Sequence, residues 1–350
     1  MNSTANTFRT CGKTMLMATL LLASAPAIAA EFWLRAETMN VTMPDSNIVP
    51  MWAFSDCDST YTTCSAPTVP GPALDVPAGD TNGLTVHLKN TLTKPVSLVI
   101  NGQMATMTPV WTDGTSGPRI NRTQRVRSFT HEAAPNGGNA TYNWPVIKSG
   151  TYLYQSGTHP QVQVQMGLYG ALTSDAAASQ PYTGSATYDS SLTLLFSEID
   201  PILHAAVAGG TYGTSLGPTS TLDYNPKYLL INGKGFESGE LPLASYTEGD
   251  TVLLRLLNAG LRSRAPMISN GHMSIIAEDG NLYPWAGNPR QQYSVFLPAA
   301  KTIDALYVAK GVAGQSARVA IYDRRLGLIN NVALDGGMMG FVEVNVPVVP

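Results

Sequence analysis

Charge is scarce in this chain. Asp, Glu, Lys and Arg make up 13% of its 350 residues, about half the usual share, so sheet packing rather than surface ion pairs must carry stability. The net charge is −3 with no basic run, which excludes nucleic acid as a partner. Beyond the N-terminus no segment offers ~18 uninterrupted apolar residues, so no membrane span is expected. Helical periodicity is nearly absent. Paired carboxylates, a Ser-His-Asp order and phosphate-binding glycine loops are missing too, and the Gly-Asp and Asp-Gly pairs read as turns. Histidine is limited to five residues and cysteine to three, which leaves little material for metal sites.

What is present begins with a leader. Arg9 and Lys13 precede an apolar stretch from Met15 to Ala25, and Ala27-Ile28-Ala29 makes a small-residue cleavage site, so residues 1–29 read as a signal peptide. Its loss makes the mature chain two charges more acidic, takes Cys11 away, and places the product in the periplasm or outside the cell. Cys57 and Cys64 remain in a polar loop. A disulfide closing that loop suits an oxidising compartment. A metal-binding pair is the weaker reading, because no histidine lies nearby and two thiolates alone make a poor site.

The length fits two or three domains. Alternating apolar and polar residues in 84–90, 96–100, 125–133 and 161–166 predict strands separated by Pro, Gly, Asn and Asp clusters. The apolar run around Leu253 to Leu257 suits a buried strand. An Ala/Ser/Thr-rich break at 174–191 separates a first domain, 30–175, from a second, 190–350. The halves echo each other. Leu74 precedes Gly79-Asp80 and a strand ending at Asn90; Leu243 precedes Gly249-Asp250 and a strand ending at Asn258. Short strands at regular spacing and a weak internal repeat predict an all-β chain of two tandem sandwiches.

The segment Gly150–Leu172, GTYLYQSGTHPQVQVQMGLYGAL, resembles the second copper motif of the multicopper oxidases. There a Gly-Thr-aromatic strand leads into His-x-His and then Gly-Leu-Tyr-Gly. TVPGPALDVPAGD (68–80) is similar to the opening of that family. KYLLINGKGF (227–236), EGDTVLLRLLNAG (248–260), GHMSIIAEDGNLYPW (271–285), the AAKTIDALYV run (299–308), YDRRLGLIN (322–330) and GGMMGFVEV (336–344) resemble its middle domain, in order. The resemblance covers nearly all of the mature chain. It implies two tandem cupredoxin-like Greek-key domains, with copper as cofactor and oxidation of metals or small molecules as activity.

The copper ligands do not follow the resemblance. A type 1 site needs a cysteine thiolate with two imidazoles, and only Cys57 and Cys64 are available. The family's His-Cys-His motif belongs to a third domain, which this sequence lacks. The family's oxygen-reducing cluster draws on more histidines than the five held here. Its first motif, His-x-His-Gly, aligns with Val99-Ile100-Asn101-Gly102. Counted back from Gly167, the second motif falls on Gly157 and His159; counted forward from Gly150, it begins near Gln155, so the segment has gained residues. Either way at most one ligand survives. A trimer sharing sites across interfaces could not supply the missing ligand types.

His87 reads as an ordinary strand residue, His204 as a loop residue after Pro201, and His272 as structural. His131 falls where the family places an aromatic. With His159 it could form a two-histidine copper or zinc site completed by water or Met166; the competing reading is a hydrogen-bonded loop histidine. Met104 and Met107, with Met39 and Met43, could hold Cu(I) through thioethers or fill gaps in the core. Gln161, Gln163 and Gln165 read as the polar face of a strand. The function expected is that of an exported, copper-linked oxidase relative, catalytically incomplete as a single chain. A separate subunit or domain could supply the missing ligands. The alternative is a non-catalytic copper-handling or interaction module.

Overall fold

The computed structural model describes residues 29–80, 82–117, 124–284, 289–333 and 335–347. Of the expected signal peptide only Ala29 falls within them. Among the described residues strands dominate, and two short helices, α1 (Pro160–Gln163) and α2 (Pro201–Ala208), interrupt them.

The strands fall into two sets. In the first, one sheet has the order Ile48–Asp56, Ala30–Thr42, Leu84–Asn90, Gly138–Trp144. The other has the order Leu74–Val76, Tyr169–Ser174, Gly150–Gln155, Val99–Ile100. Alternation explains the Leu84–Asn90 strand: Leu84, Val86, Leu88 and Asn90 point inward, while Thr85, His87 and Lys89 point out. The inward side chains meet Tyr152, Tyr154 and Leu172 of the opposite sheet in one core.

The second set repeats this plan. Tyr228–Ile231, Ser190–Ile199, Thr251–Asn258 and Thr302–Val308 run in the same relative order, extended by Met273–Glu278 and two short strands. Ala244–Thr247, Met339–Asn345, Ala317–Asp323 and Pro266–Ile268 form the opposing sheet. Even the mixed pairing is duplicated. Ala30–Thr42 runs parallel to Leu84–Asn90, as Ser190–Ile199 does to Thr251–Asn258. The architecture is two tandem Greek-key sandwiches.

The Leu253–Leu257 run is apolar on both faces because both faces are covered. Val252, Leu254 and Leu256 enter the second core. Leu257 instead packs with Leu153, Tyr169 and Ala171 of the first sandwich, and Leu253 with Tyr182 of the connecting segment. Polar groups lock the same junction. Arg255 reaches the Thr151 hydroxyl at 3.0 Å and Asp175 at 2.6 Å, and Thr151 donates to Asp304 at 2.6 Å. Tyr182 donates to the other Asp304 oxygen at 2.5 Å. Cys57 and Cys64 are joined in a disulfide.

Three local expectations need correction. The alternating 161–166 segment is not a strand: it opens as α1 and continues in turns. Its glutamines are therefore not one polar face of a strand, and only Gln161 is exposed. Gln163 and Gln165 are buried and bond to Pro95 O and Ala259 O. His204 lies in α2 rather than a loop. The strands expected over 96–100 and 125–133 shrink to Val99–Ile100 and Val126–Ser128.

Candidate functional site

The two cluster-motif segments meet where the sequence places them. Val99–Ile100 pairs antiparallel with the end of Gly150–Gln155, and Val99 stands opposite Gln155. Asn101 continues from that edge and anchors its N–H on Leu153 O at 3.2 Å. The chain then turns through Ser156, Gly157 and Thr158 to His159. The frame that would bring ligands from both motifs together is therefore built.

The residues on that frame do not fit copper. Val99 offers no donor atom, and the neutral amides of Asn101 and Gln155 are poor ligands for it. Gly157 is filled from outside. A Cβ there would lie 2.8 Å from Val99 Cγ1 and 3.0 Å from Ser97 Oγ, so an imidazole has no room without rearrangement. Among the described residues no group of three or more His, Cys, Asp or Glu is arranged to hold a metal.

A hydroxyl network ties these segments together instead. Thr158 Oγ1 lies 3.0 Å from Ser97 Oγ, 3.1 Å from Ser128 Oγ and 3.0 Å from Glu132 Oε1. Ser97 and Ser128 are 2.9 Å apart. Ser156 donates to Gln163 Oε1 at 2.6 Å, and Gln163 donates to Pro95 O at 2.8 Å. Every hydroxyl in this network is buried and partnered, as buried polar groups must be. Sequence reading passed over these serines and threonines, because their partners come from distant segments.

His159 is held at the entrance of α1 with φ 39°, a left-handed conformation, and its N–H donates to Arg127 O at 2.8 Å. Its side chain lines a cavity of about 380 Å³ together with Trp52, Lys94, Arg127, Val162 and Tyr212. Burial lowers its pKa, and the positive charges of Arg127, Arg125 and Lys94 lower it further against the opposing pull of Glu132. Such surroundings disfavour a second cation.

His131 is not among the residues lining that cavity. Its Nε2 lies 3.0 Å from Thr141 O, its Nδ1 lies 3.3 Å from Thr130 Oγ1, and its ring stacks on Tyr142 at 4.6 Å. Met166, considered as a third ligand, is wholly buried in the first core. Met43 and Met39 pack with Met51 against Ile199, Tyr228 and Leu230 at the domain junction, whereas Met104 and Met107 are exposed. His87 stacks on Trp33 and bonds to Thr141 Oγ1. His272 is exposed just before Met273–Glu278. His204 is wholly buried, with Nδ1 2.9 Å from Pro50 O.

Two family profiles, both described as multicopper oxidase, match residues 51–178 and 209–325. The chain belongs to the multicopper oxidase family, whose cofactor is copper. A search of curated proteins finds no sequence match. Among solved structures, the blue copper oxidase from Nitrosomonas europaea is similar at TM-score 0.66 and 20% identity, over 90% of this chain and 86% of that one. The copper nitrite reductase from the same organism is similar at TM-score 0.61 and 15% identity, over 91% and 94%. The laccase from Botrytis aclada is similar at TM-score 0.64 and 20% identity, over 94% of this chain but 55% of that one. These likenesses establish the cupredoxin-like fold of both halves. Among the described residues no helix is long and apolar enough to cross a membrane.

Proposed function

We propose that this protein is an exported, non-oxidising member of the multicopper oxidase family, a binding module on an oxidase frame. The observation that carries the reading is the packing of Val99 into the space a Gly157 side chain would need. With Gln155 opposite Val99, positions 99, 101, 155 and 157 carry no imidazole, thiolate or carboxylate, and only His159, reached by the count back from Gly167, keeps an imidazole. His159 and His131 remain the candidate copper contacts. Binding there is expected to be weak and easily stripped, because the preference of such sites for Cu(II) cannot replace absent ligands.

The test is oxygen consumption by the purified mature chain loaded with copper, using a phenol and ferrous iron as reductants. The expected result is no copper-dependent turnover and no intense copper–thiolate absorption. Either signal at a stoichiometric level would overturn the reading. The second reading, a chain completed by a separate subunit or domain, draws on the Botrytis laccase, of which this chain spans 55%. Such a partner could bring the Cys-bearing site, but positions 99, 101, 155 and 157 belong to this chain. Copper-dependent turnover that appears only on adding a partner would favour that reading.

A further inference from the structure

The cavity beside His159 is a candidate site of its own. Gln161 borders both it and the neighbouring cavity that Gln155 lines, so it adjoins the vacated ligand positions without including them. Its volume, about 380 Å³, falls at the small end of the ~300–1,000 Å³ typical of ligand pockets. The wall combines apolar surface from Trp52, Val162 and Tyr212 with Lys94, Arg127 and His159. Trp52 is buried within the first core, and Tyr212, from the segment after α2, packs partly buried against the same core and also lines the cavity.

The charges do not balance. Glu132 opposes Arg127, with contacts of 3.3 Å to Nε and 2.6 Å to Nη2, and it also takes the Thr158 hydroxyl at 3.0 Å. Glu132 draws His159 toward its charged form, and Arg127, Arg125 and Lys94 act against it. Neither the Lys94 ammonium nor the Arg125 guanidinium has a hydrogen bond or ion pair among the described residues. A surplus of positive charge at the wall of a partly enclosed space attracts an anion and repels a metal ion. The Arg127 fork is already occupied by Glu132 and Arg125 is not among the lining residues, so the wall itself has no free bidentate clamp of the kind that suits a multiply charged phosphate. What remains is one ammonium and an aromatic-lined space, which matches a flat apolar body with a single negative charge.

We propose that this cavity binds a small aromatic carboxylate, its ring against Trp52 and Tyr212 and its carboxylate toward Lys94. The proposal does not rest on whether the chain carries copper, and its test uses copper-free protein. Calorimetry on the mature chain at neutral pH would compare benzoate, benzyl alcohol and inorganic phosphate. Benzoate is expected to bind saturably at one site, with benzyl alcohol and phosphate each about tenfold weaker, a ratio set by the charge-assisted contact and the apolar wall. Lys94 is exposed, so its replacement should leave the fold intact. Lys94→Ala should weaken benzoate about tenfold and Lys94→Arg should restore most of it. No saturable benzoate binding, equal affinity for benzyl alcohol or for phosphate, or a Lys94→Ala chain that binds as wild type would each overturn the proposal. The ligand comparison needs no variant, so a misfolded mutant would not obscure the outcome.

Discussion

Asn90 and Asn258 close the same turn in the two sandwiches. Each ends the strand that runs parallel to the first strand of its domain. Asn90 donates to Lys94 O at 2.8 Å and accepts the Leu92 N–H at 3.0 Å. Asn258 donates to Arg262 O at 2.9 Å and accepts the Gly260 N–H at 2.9 Å. The second amide hydrogen crosses to Ala133 O at 3.2 Å in one case and to Leu297 O at 3.0 Å in the other. Both side chains are wholly buried. One amide thus satisfies a turn and a neighbouring loop together, and the arrangement occurs in both halves.

Replacing either asparagine by alanine removes the partner of one turn carbonyl (Lys94 O or Arg262 O) and of one turn N–H (Leu92 or Gly260), while Ala133 O and Leu297 O keep the backbone N–H groups of Val96 and Arg264. We expect Asn90→Ala and Asn258→Ala each to cost about 1–3 kcal/mol. The aspartate variants should cost at least as much, because a carboxylate accepts the N–H but cannot serve the carbonyls. Urea denaturation of the four variants checks this, and wild-type midpoints for the alanine pair would contradict it.

That repeat was legible because turn chemistry is local: Gly-Asp launches the strand and Asn ends it within a short window. The Leu84–Asn90 strand was legible for the same reason, with one side chain in two facing the core. The 161–166 segment misled because Gln-Val alternation mimics a half-buried strand. Pro160 at the first helical position favours helix entry instead, and the polar partners that bury Gln163 and Gln165 come from Pro95 and Ala259. His204 was misplaced despite a usable signal. Asp200 caps α2 through the Ile202 and Leu203 N–H groups, followed by Pro201, a start signature written in the sequence. At the site, the loss of ligand residues could be read directly. The hydroxyl network that stands there now could not, since it joins Ser97, Ser128 and Thr158 across the fold.

Arg255 is the charge that makes the domain junction tolerable. It contacts Thr151 and Asp175, while Asp304 lies on the far side of the Thr151 hydroxyl. Burial pushes the Asp304 carboxyl above the ordinary carboxylate range, and Arg255 pulls it back. We expect Arg255→Met to destabilise the chain by about 3–5 kcal/mol near neutral pH, because the acidic groups stay buried without their partner. A raised folded-state pKa means that the folded form gains a proton as pH falls, so the deficit should shrink on acidification. Denaturation at pH 7 and pH 5 reads this; a deficit that grows at the lower pH would count against the assignment.

His204 works in the opposite sense. Burial holds its pKa below the ordinary value, although the Pro50 and Gln165 backbones favour the charged form. Between its folded pKa and the unfolded value near ~6.5, the unfolded chain binds the additional proton. Its stabilising contribution is therefore full above the unfolded pKa and declines as pH falls below it. His204→Gln keeps a donor for Pro50 O and removes the titration. We expect the variant to lose less stability than wild type between pH 7 and pH 5. His159, whose pKa is also lowered, and Asp304, whose pKa is raised, are present in both proteins and cancel in the comparison. Parallel pH–stability curves would show that His204 is not the group responsible.

Gly157 and Val99 provide the sharpest test of how the ligand positions were closed. A methyl group on Gly157 would meet Val99 Cγ1 at 2.8 Å and Ser97 Oγ at 3.0 Å. Gly157 is not among the residues with positive φ, so its backbone accepts alanine and the penalty is steric. Overpacking of this kind costs about 1–3 kcal/mol. We expect Gly157→Ala to fall in that range and Val99→Ala to relieve part of it when the two are combined. A double-mutant cycle should then give a coupling of about 1 kcal/mol or more. Gly157→His demands more space still, so a single reverted ligand should destabilise the chain without raising its affinity for copper. Denaturation and copper calorimetry on the same variants decide between the outcomes. Additive effects would mean that Val99 does not fill the position. A stable Gly157→His chain with tighter copper binding would mean that the ligand frame is still open.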